Sequence, residues 1–282
     1  MPELPEVETI VRKLQTVLPG KVIQKIVIFH PKSFIGDQQQ LIGLPVVAVT
    51  RKAKIIRIHL TRELNLLIHL KMTGQLIYAD DHQRLGGGHP TEDWVKELPT
   101  KHTRVNICFS DNSQLFFNDQ RLFGWVKVQT DQEVADTFAV LAPDINDPQV
   151  TAAYLAAKLG KRSQAIKQLI MDTTIVSGVG NIYACDALNL AQIHPERPAK
   201  SLSLAEIERL VVATKSVIQQ GIELGGTTFD GKYVNVDGLA GNYQSVVRVY
   251  GREGQACLHC HGTIVKTKLG GRGTYFCSQC QI

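Results

Sequence analysis

The chain opens Met1-Pro2-Glu3. A small second residue permits removal of the initiator methionine, which leaves Pro2 with a free secondary amine. An α-amino group titrates near ~8, against ~10.4 for lysine, so a useful fraction is uncharged and nucleophilic at neutral pH. Attack of such an amine on a sugar C1′ gives an iminium with no proton left to remove from nitrogen. Glu3, next in the chain, would pass protons to the opening sugar. Taken alone, Pro-Glu is also a plain way to start a helix, and the residues that follow decide between the two readings.

The second chemical cluster is at the far end. Cys257-Leu-His-Cys260 and Cys277-Ser-Gln-Cys280 are two C-x2-C knuckles separated by sixteen residues, the spacing of a zinc ribbon. Each knuckle turns two thiolates to one side, and two knuckles complete a tetrahedral site of four sulfurs. Four thiolates close the coordination shell, so one structural Zn2+ is expected there, with no position open for catalysis. Two disulfides would use the same residues, but nothing signals export and a reducing compartment keeps thiols free. Cys108 and Cys185 stand alone in apolar surroundings and read as small buried hydrophobes.

At 282 residues with 44% hydrophobic and 20% charged side chains, the chain has room for about two domains and a real core. Disorder, collagen-like repeats and a disulfide-dense secreted module are excluded. The N-terminus carries acids where a signal peptide carries lysines, and no apolar run is long enough to span a bilayer. A soluble cytoplasmic protein is expected. Lys and Arg number 31 against 26 Asp and Glu. Residues 241–282 hold five basic side chains against Glu253 alone, so the surplus is concentrated beside the cysteines. Concentration of that kind points to a polyanionic partner.

The elements that must position these groups follow from periodicity. Val7, Ile10, Val11, Leu14, Val17 and Leu18 share one helical face after Pro5, and the helix ends near Pro19-Gly20. Residues 21–128 read as closely spaced strands, a sandwich or barrel. Residues 80–101, with Gly86-Gly87-Gly88, read as a loop with one short helical turn. A linker at 131–150 precedes helices at 151–159, 163–171 and 181–190, the last after Ser177-Gly178-Val179-Gly180. Ser203 and Glu206 form a capping box that opens a long helix through 222. Glycines before a helix expose backbone N–H groups to an anion, although a plain tight turn has the same residues.

Residues 2–9, Pro-Glu-Leu-Pro-Glu-Val-Glu-Thr, resemble the amino terminus of the formamidopyrimidine-DNA glycosylase family, bacterial enzymes that excise oxidised purines. The resemblance continues through Arg51-Lys-Ala-Lys54, His69-Leu-Lys-Met-Thr-Gly74, Asp119-Gln-Arg-Leu-Phe-Gly124, Gly178-Val-Gly-Asn-Ile-Tyr183, Gly225-Gly-Thr-Thr228 and the cysteine knuckles, over essentially the whole chain. It implies an α+β multidomain fold: an N-terminal helix with a catalytic β-sandwich at 1–130, a helix–two-turn–helix DNA-binding domain with a lesion-capping loop at 151–244, and a zinc-finger hairpin at 245–282. Pro2 would be the Schiff-base nucleophile and Glu3 its acid/base partner. Lys54, on a strand with Arg51 and Lys52, would contact the DNA backbone and assist β-elimination.

Met72, Arg121 and Phe123 resemble the trio that fills the gap left by an everted nucleotide, a gap that costs a few kcal/mol of stacking. His102 and Asn181 match phosphate contacts, with Lys167 on the same face. Arg162 stands where the family usually has a lysine on DNA. Arg272, between glycines at a hairpin tip, would bind phosphate and act in δ-elimination. Glu6 and Asp186 count among the residues expected to face DNA, and 227–243 corresponds to the loop over the damaged base. The partner would be double-stranded damaged DNA, bound by a monomer, with no redox or nucleotide cofactor.

Three departures stand out. Leu122 replaces a residue that is usually basic, Asp186 replaces a usual Glu, and the Gly-rich segment before His102 is longer than expected. Two rival readings stay open on the residues. One is an endonuclease VIII-like enzyme for oxidised pyrimidines, and the other a non-catalytic zinc protein that binds damaged DNA.

Overall fold

The computed structural model describes residues 2–89, 91–227 and 241–282. Helix α1 (Leu4–Val17) starts where Pro5 supplies a helix-ready φ and Glu6 reaches back to accept from the Glu3 amide at 2.7 Å. Of the expected face Val7, Ile10, Val11, Leu14 and Leu18 are buried and Val17 is half-buried, and Leu4 joins them. The chain divides into two compact units, Met1–Ala139 with Leu224–Asn242, and Val140–Glu223 with Tyr243–Ile282.

The first unit is a two-sheet sandwich. Its strands are β1 (Ile23–Ile28), β2 (Phe34–Ile35), β3 (Val46–Lys52), β4 (Ile55–Leu60), β5 (Leu64–His69), β6 (Gly74–Ala79), β7 (Arg84–Gly88), β8 (Thr103–Phe109), β9 (Gln114–Asp119) and β10 (Trp125–Thr130). One sheet runs β1-β8-β9-β6-β7 and the other β2-β10-β5-β4-β3. All neighbours pair antiparallel except β2 with β10. Ile56, Ile58, Leu66 and Ile68 of one sheet and Leu76, Val105, Ile107 and Phe117 of the other join α1 in one core.

Strand β7 lies inside the stretch expected to be a loop. Its glycines hide it from a pattern search, yet they are what allow it to pair. A Cβ on Gly86 would lie 1.9 Å from the Leu76 carbonyl oxygen of β6, and one on Gly87 would lie 2.4 Å from Cγ1 of Ile10. Only glycine fits this closely against β6 and α1 at these positions. Helix α2 (Asp131–Ala139) likewise occupies part of the stretch read as a linker. It covers Gln129 of β10, which bonds Thr137.

In the second unit, α3 (Ala152–Leu159), α4 (Ile166–Ile170), α5 (Asn181–Leu190) and α6 (Leu204–Glu223) carry the helical period seen in the sequence. The capping box at α6 forms, with Ser203 N donating to Glu206 Oε2 at 2.8 Å and Glu206 N to Ser203 Oγ at 3.3 Å. Strands β11 (Ile264–Leu269) and β12 (Arg272–Cys277) make a hairpin whose turn, Gly270-Gly271, has φ +56° and +77°. Two successive left-handed residues are what a tight hairpin of this hand requires. Cys185 is buried, as expected, against Val249, Ile264 and two of the ribbon cysteines. Cys108 is only half-buried.

Candidate nucleic-acid interface and metal centre

Pro2 and Glu3 are buried at the start of α1. The Glu6 carboxylate holds this segment from two sides. Its Oε2 takes the Glu3 amide, and its Oε1 accepts from Thr227 N at 2.8 Å and Thr227 Oγ1 at 3.0 Å. Gly226, at φ +86°, passes so near that a Cβ would lie 2.8 Å from Glu6 Cγ. Glu6, expected to face DNA, is therefore spent on the protein's own backbone. The capping-loop stretch 228–240 lies outside the described residues.

Lys54 is in the two-residue turn between β3 and β4, after Ala53 at φ +53°, rather than on a strand. Arg51 beside it donates to Glu8 Oε2 at 2.7 Å and to the Ala53 carbonyl at 3.2 Å, which fixes the turn to α1. Burial pushes the Glu8 carboxyl up, but Arg12 and Arg51 outweigh it and hold the group below its ordinary range.

Met72, Arg121 and Phe123 are carried on two loops that one carboxylate organises. Asp119, fully buried, accepts from Thr73 Oγ1 and Arg121 N through Oδ1, and from Gly124 N at 2.7 Å through Oδ2. Arg121 and Phe123 project outward, with the guanidinium 4.8 Å from the ring centre, while Met72 is half-buried. Leu122 adopts φ +59° and is exposed at the tip. Asp119 opened the motif block in the sequence but had no assigned role. Its signal in the sequence was only an acid at the head of the Arg-Leu-Phe-Gly run. His69, at the end of β5, accepts from Lys71 N at 3.0 Å. Burial first, then Lys71 and Lys54, push its pKa down to about 3, so the ring is neutral.

His102 precedes β8 with its side chain 22% exposed. Its Nδ1 lies 2.8 Å from Oδ2 of Asp93, a residue of the unexpectedly long Gly-rich stretch.

In the second unit Asn181 is the first residue of α5, after the Gly180 cap. Its carboxamide bridges elements, with Oδ1 accepting from Lys167 Nζ at 2.6 Å and Nδ2 donating to the Gly273 carbonyl at 3.0 Å. Lys167 Nζ also donates to Thr274 Oγ1 at 2.8 Å. Arg272, at the hairpin turn, is exposed and joins Lys167, Gln168 and Met171 around a cleft of about 230 Å3. Arg162 is exposed as well.

Two residues expected on the binding face lie in the interior. Lys167 is 1% exposed, because its ammonium ties α4 to α5 and β12. Asp186 is 0% exposed, and its carboxylate accepts from the Tyr243 hydroxyl and the amides of Arg248, Val249 and Tyr250. Burial raises its pKa and the four donors oppose that rise. Asp186 thus anchors the 243–250 segment to α5.

The four ribbon cysteines bring their Sγ atoms within 4.8 Å of one another. Cys257 and Cys280 are 3.8 Å apart and Cys260 and Cys277 3.4 Å, too far for disulfides. A tetrahedron with Zn–S of ~2.3 Å has edges of ~3.8 Å, so the residues fit a structural zinc. Burial pushes the Cys257 thiol up, but the amides of Cys260 and His259 outweigh it and hold it at about 6. Burial, and then the neighbouring thiols, drive Cys280 the other way. Four clustered sulfurs cannot all ionise without a cation among them.

A helix-led sandwich, a helical unit with glycines before α5 and a four-cysteine hairpin define a class of zinc-hairpin DNA-binding proteins. Comparison with known proteins narrows the class. Residues 1–126 match the Formamidopyrimidine-DNA glycosylase N-terminal domain, 141–232 the Formamidopyrimidine-DNA glycosylase H2TH domain, and 254–282 the zinc finger found in FPG and IleRS. A Formamidopyrimidine-DNA glycosylase of Listeria innocua is 38% identical over 100% of both chains. A Lactococcus lactis FPG mutant in complex with Fapy-dG containing DNA superposes with TM-score 0.87 at 30% identity, covering 99% of each chain. The L. lactis Fpg complex with abasic-site DNA gives 0.87 at 29%, again over 99% of each. The chain belongs to the formamidopyrimidine-DNA glycosylase family. Among the described residues no helix is long and apolar enough to cross a membrane.

Proposed function

We propose that this chain is a bifunctional DNA glycosylase and AP lyase of base excision repair that removes oxidised purines such as 8-oxoguanine and formamidopyrimidines. With Met1 removed, the Pro2 nitrogen attacks C1′ of the damaged nucleotide. The N-glycosidic bond breaks and its electrons leave with the base. Glu3 supplies the proton for the opening sugar ring, and the nitrogen lone pair completes an iminium at C1′. The iminium acidifies C2′. Loss of a proton there expels the 3′-phosphate, and a second elimination expels the 5′-phosphate. Lys54 assists the first elimination and Arg272 the second.

Met72, Arg121 and Phe123 fill the space vacated by the flipped nucleotide, with Arg121 bonding the orphaned base. His102, Asn181, Arg162 and Arg272 hold backbone phosphates. Zinc, when bound, cross-links the hairpin that carries Arg272 and takes no part in the chemistry. In this division of labour residues 1–130 carry catalysis, 151–244 grip DNA and 245–282 carry the Arg272 hairpin. The protein works as a monomer on double-stranded DNA, in the cytoplasm at the nucleoid.

The observation that carries this reading is Pro2-Glu3 at the head of α1 in a chain of this family. Borohydride trapping on duplexes with 8-oxoguanine, an oxidised pyrimidine or an abasic site tests it. The reading expects a covalent adduct that is strongest with 8-oxoguanine opposite cytosine and absent in Pro2→Gly. Trapping with the pyrimidine lesion alone would instead indicate an endonuclease VIII-like enzyme. Tight binding without any adduct would indicate a non-catalytic binder.

A further inference from the structure

Asp93 is 3% exposed, and its carboxylate has one hydrogen-bond partner among the described residues, Nδ1 of His102 at 2.8 Å. Burying a carboxylate is costly unless a donor meets it, and the ring N–H is the donor this one has among the described residues. The turn that brings Asp93 there is itself held. Thr91 Oγ1 accepts from the Asp93 amide at 3.2 Å and from Gln75 Nε2 at 3.0 Å. His102 is fixed from behind by its own amide on Thr100 Oγ1 at 3.1 Å, and by Asp119 N donating to its carbonyl at 2.9 Å. Nε2 has no partner among the described residues and is not among the buried polar atoms left without one. Other charges around the pair are Arg104, whose Nε donates to the Asp119 carbonyl at 2.6 Å, Asp119, and Glu92 and Lys101 beside Asp93 and His102.

We propose that Asp93 is a positioning residue for nucleic-acid binding: its carboxylate accepts a hydrogen bond from Nδ1–H of His102 and so turns Nε2 outward, where in the imidazolium form Nε2–H donates to a DNA phosphate. In the neutral ring the proton sits on the nitrogen that faces an acceptor, here Nδ1 toward Asp93. When the ring is charged both nitrogens are donors, one directed to Asp93 and the other left for a phosphate oxygen. Without Asp93 the ring rotates freely, and its outward nitrogen is no longer defined. The inference rests on the reading of His102 as a phosphate contact. It adds that a residue of the long Gly-rich stretch makes that contact work.

The test is a double-mutant cycle on the full chain, measuring affinity for a duplex carrying a stable abasic-site analogue. It is joined by long-range 1H–15N correlation of the His102 ring. Asp93→Ala and His102→Ala are each expected to weaken binding about tenfold, the lower end of what one charge-assisted bond is worth. Asp93→Ala in the His102→Ala background is expected to cost less than about twofold, because partners acting as one unit are not additive. The neutral ring is expected to carry its proton on Nδ1, and to lose that preference in Asp93→Ala. Equal cost of Asp93→Ala in both backgrounds, or an Nε2–H ring in the native chain, overturns the proposal. If His102→Ala binds as tightly as the native chain, the His102 reading falls and takes the proposal with it. Borohydride trapping on the same variants shows whether the enzymatic reading survives.

Discussion

The Lys167 ammonium, buried to 1% exposure, donates to Asn181 Oδ1 across 2.6 Å. Through a second bond to Thr274 Oγ1 the same group joins three elements at the residues proposed to meet phosphate. Lys167→Met keeps the stem but leaves Asn181 and Thr274 facing an apolar group. We expect a loss of about 2–3 kcal/mol in urea unfolding. Weaker DNA binding is expected with it, although the side chain itself reaches no solvent. Native stability in Lys167→Met would show that the tie is dispensable.

Asp119 makes an equally specific prediction. Its carboxylate collects donors from both loops that carry Met72, Arg121 and Phe123. Asp119→Ala unhooks Thr73, Arg121 and Gly124 together. Excision of 8-oxoguanine from a paired duplex should fall more than tenfold, an order of magnitude set by ~1.4 kcal/mol of lost transition-state support. Strand cleavage at a preformed abasic site, where no base is left to flip, should fall less. Equal losses on both substrates would place Asp119 outside base eversion.

The neutrality of His69 predicts the acid behaviour of the sandwich. Its folded pKa is near 3, because of burial first and then Lys71 and Lys54, whereas the unfolded ring titrates near ~6.5. Above the unfolded value neither state binds the proton and the contribution is complete. As pH falls from there toward 3, the unfolded chain alone takes up a proton and stability is lost. His69→Asn keeps an acceptor for Lys71 and removes the titration. Its urea-unfolding free energy should fall less than that of the native chain between neutral pH and pH ~4.5, by on the order of 2 kcal/mol.

Metal analysis addresses the hairpin. The protein should release one zinc per chain to a chromophoric chelator on thiol modification, and Cys277→Ser should abolish tight binding. Cobalt substitution should give the absorption of a tetrahedral thiolate site. Metal loss should weaken DNA binding through disorder of the hairpin bearing Arg272.

Much of this arrangement was legible in the residues themselves. The apolar period of α1, the Ser203–Glu206 box and the cysteine spacing each follow from local chemistry, and each appears in the fold. Strand β7 was not legible, because its glycines mimic a loop and only the proximity of Ile10 and Leu76 explains them. Burial of Lys167 and Asp186 was hidden for a related reason. A charged residue reads as surface until its partners are known, and theirs lie as far away as Thr274 and Tyr250. The role of Asp119 depends on two loops that meet only in three dimensions. The pairing of Asp93 with His102 depends likewise on how an otherwise featureless stretch folds back.

The central claim is that the amino-terminal proline is the nucleophile. Mass spectrometry of the borohydride-reduced complex with 8-oxoguanine DNA, digested to peptides, tests it most directly. The account predicts a chain that starts at Pro2, with the sugar remnant on that residue's nitrogen. A remnant on any lysine, Lys54 included, or an active chain that retains Met1, would contradict it.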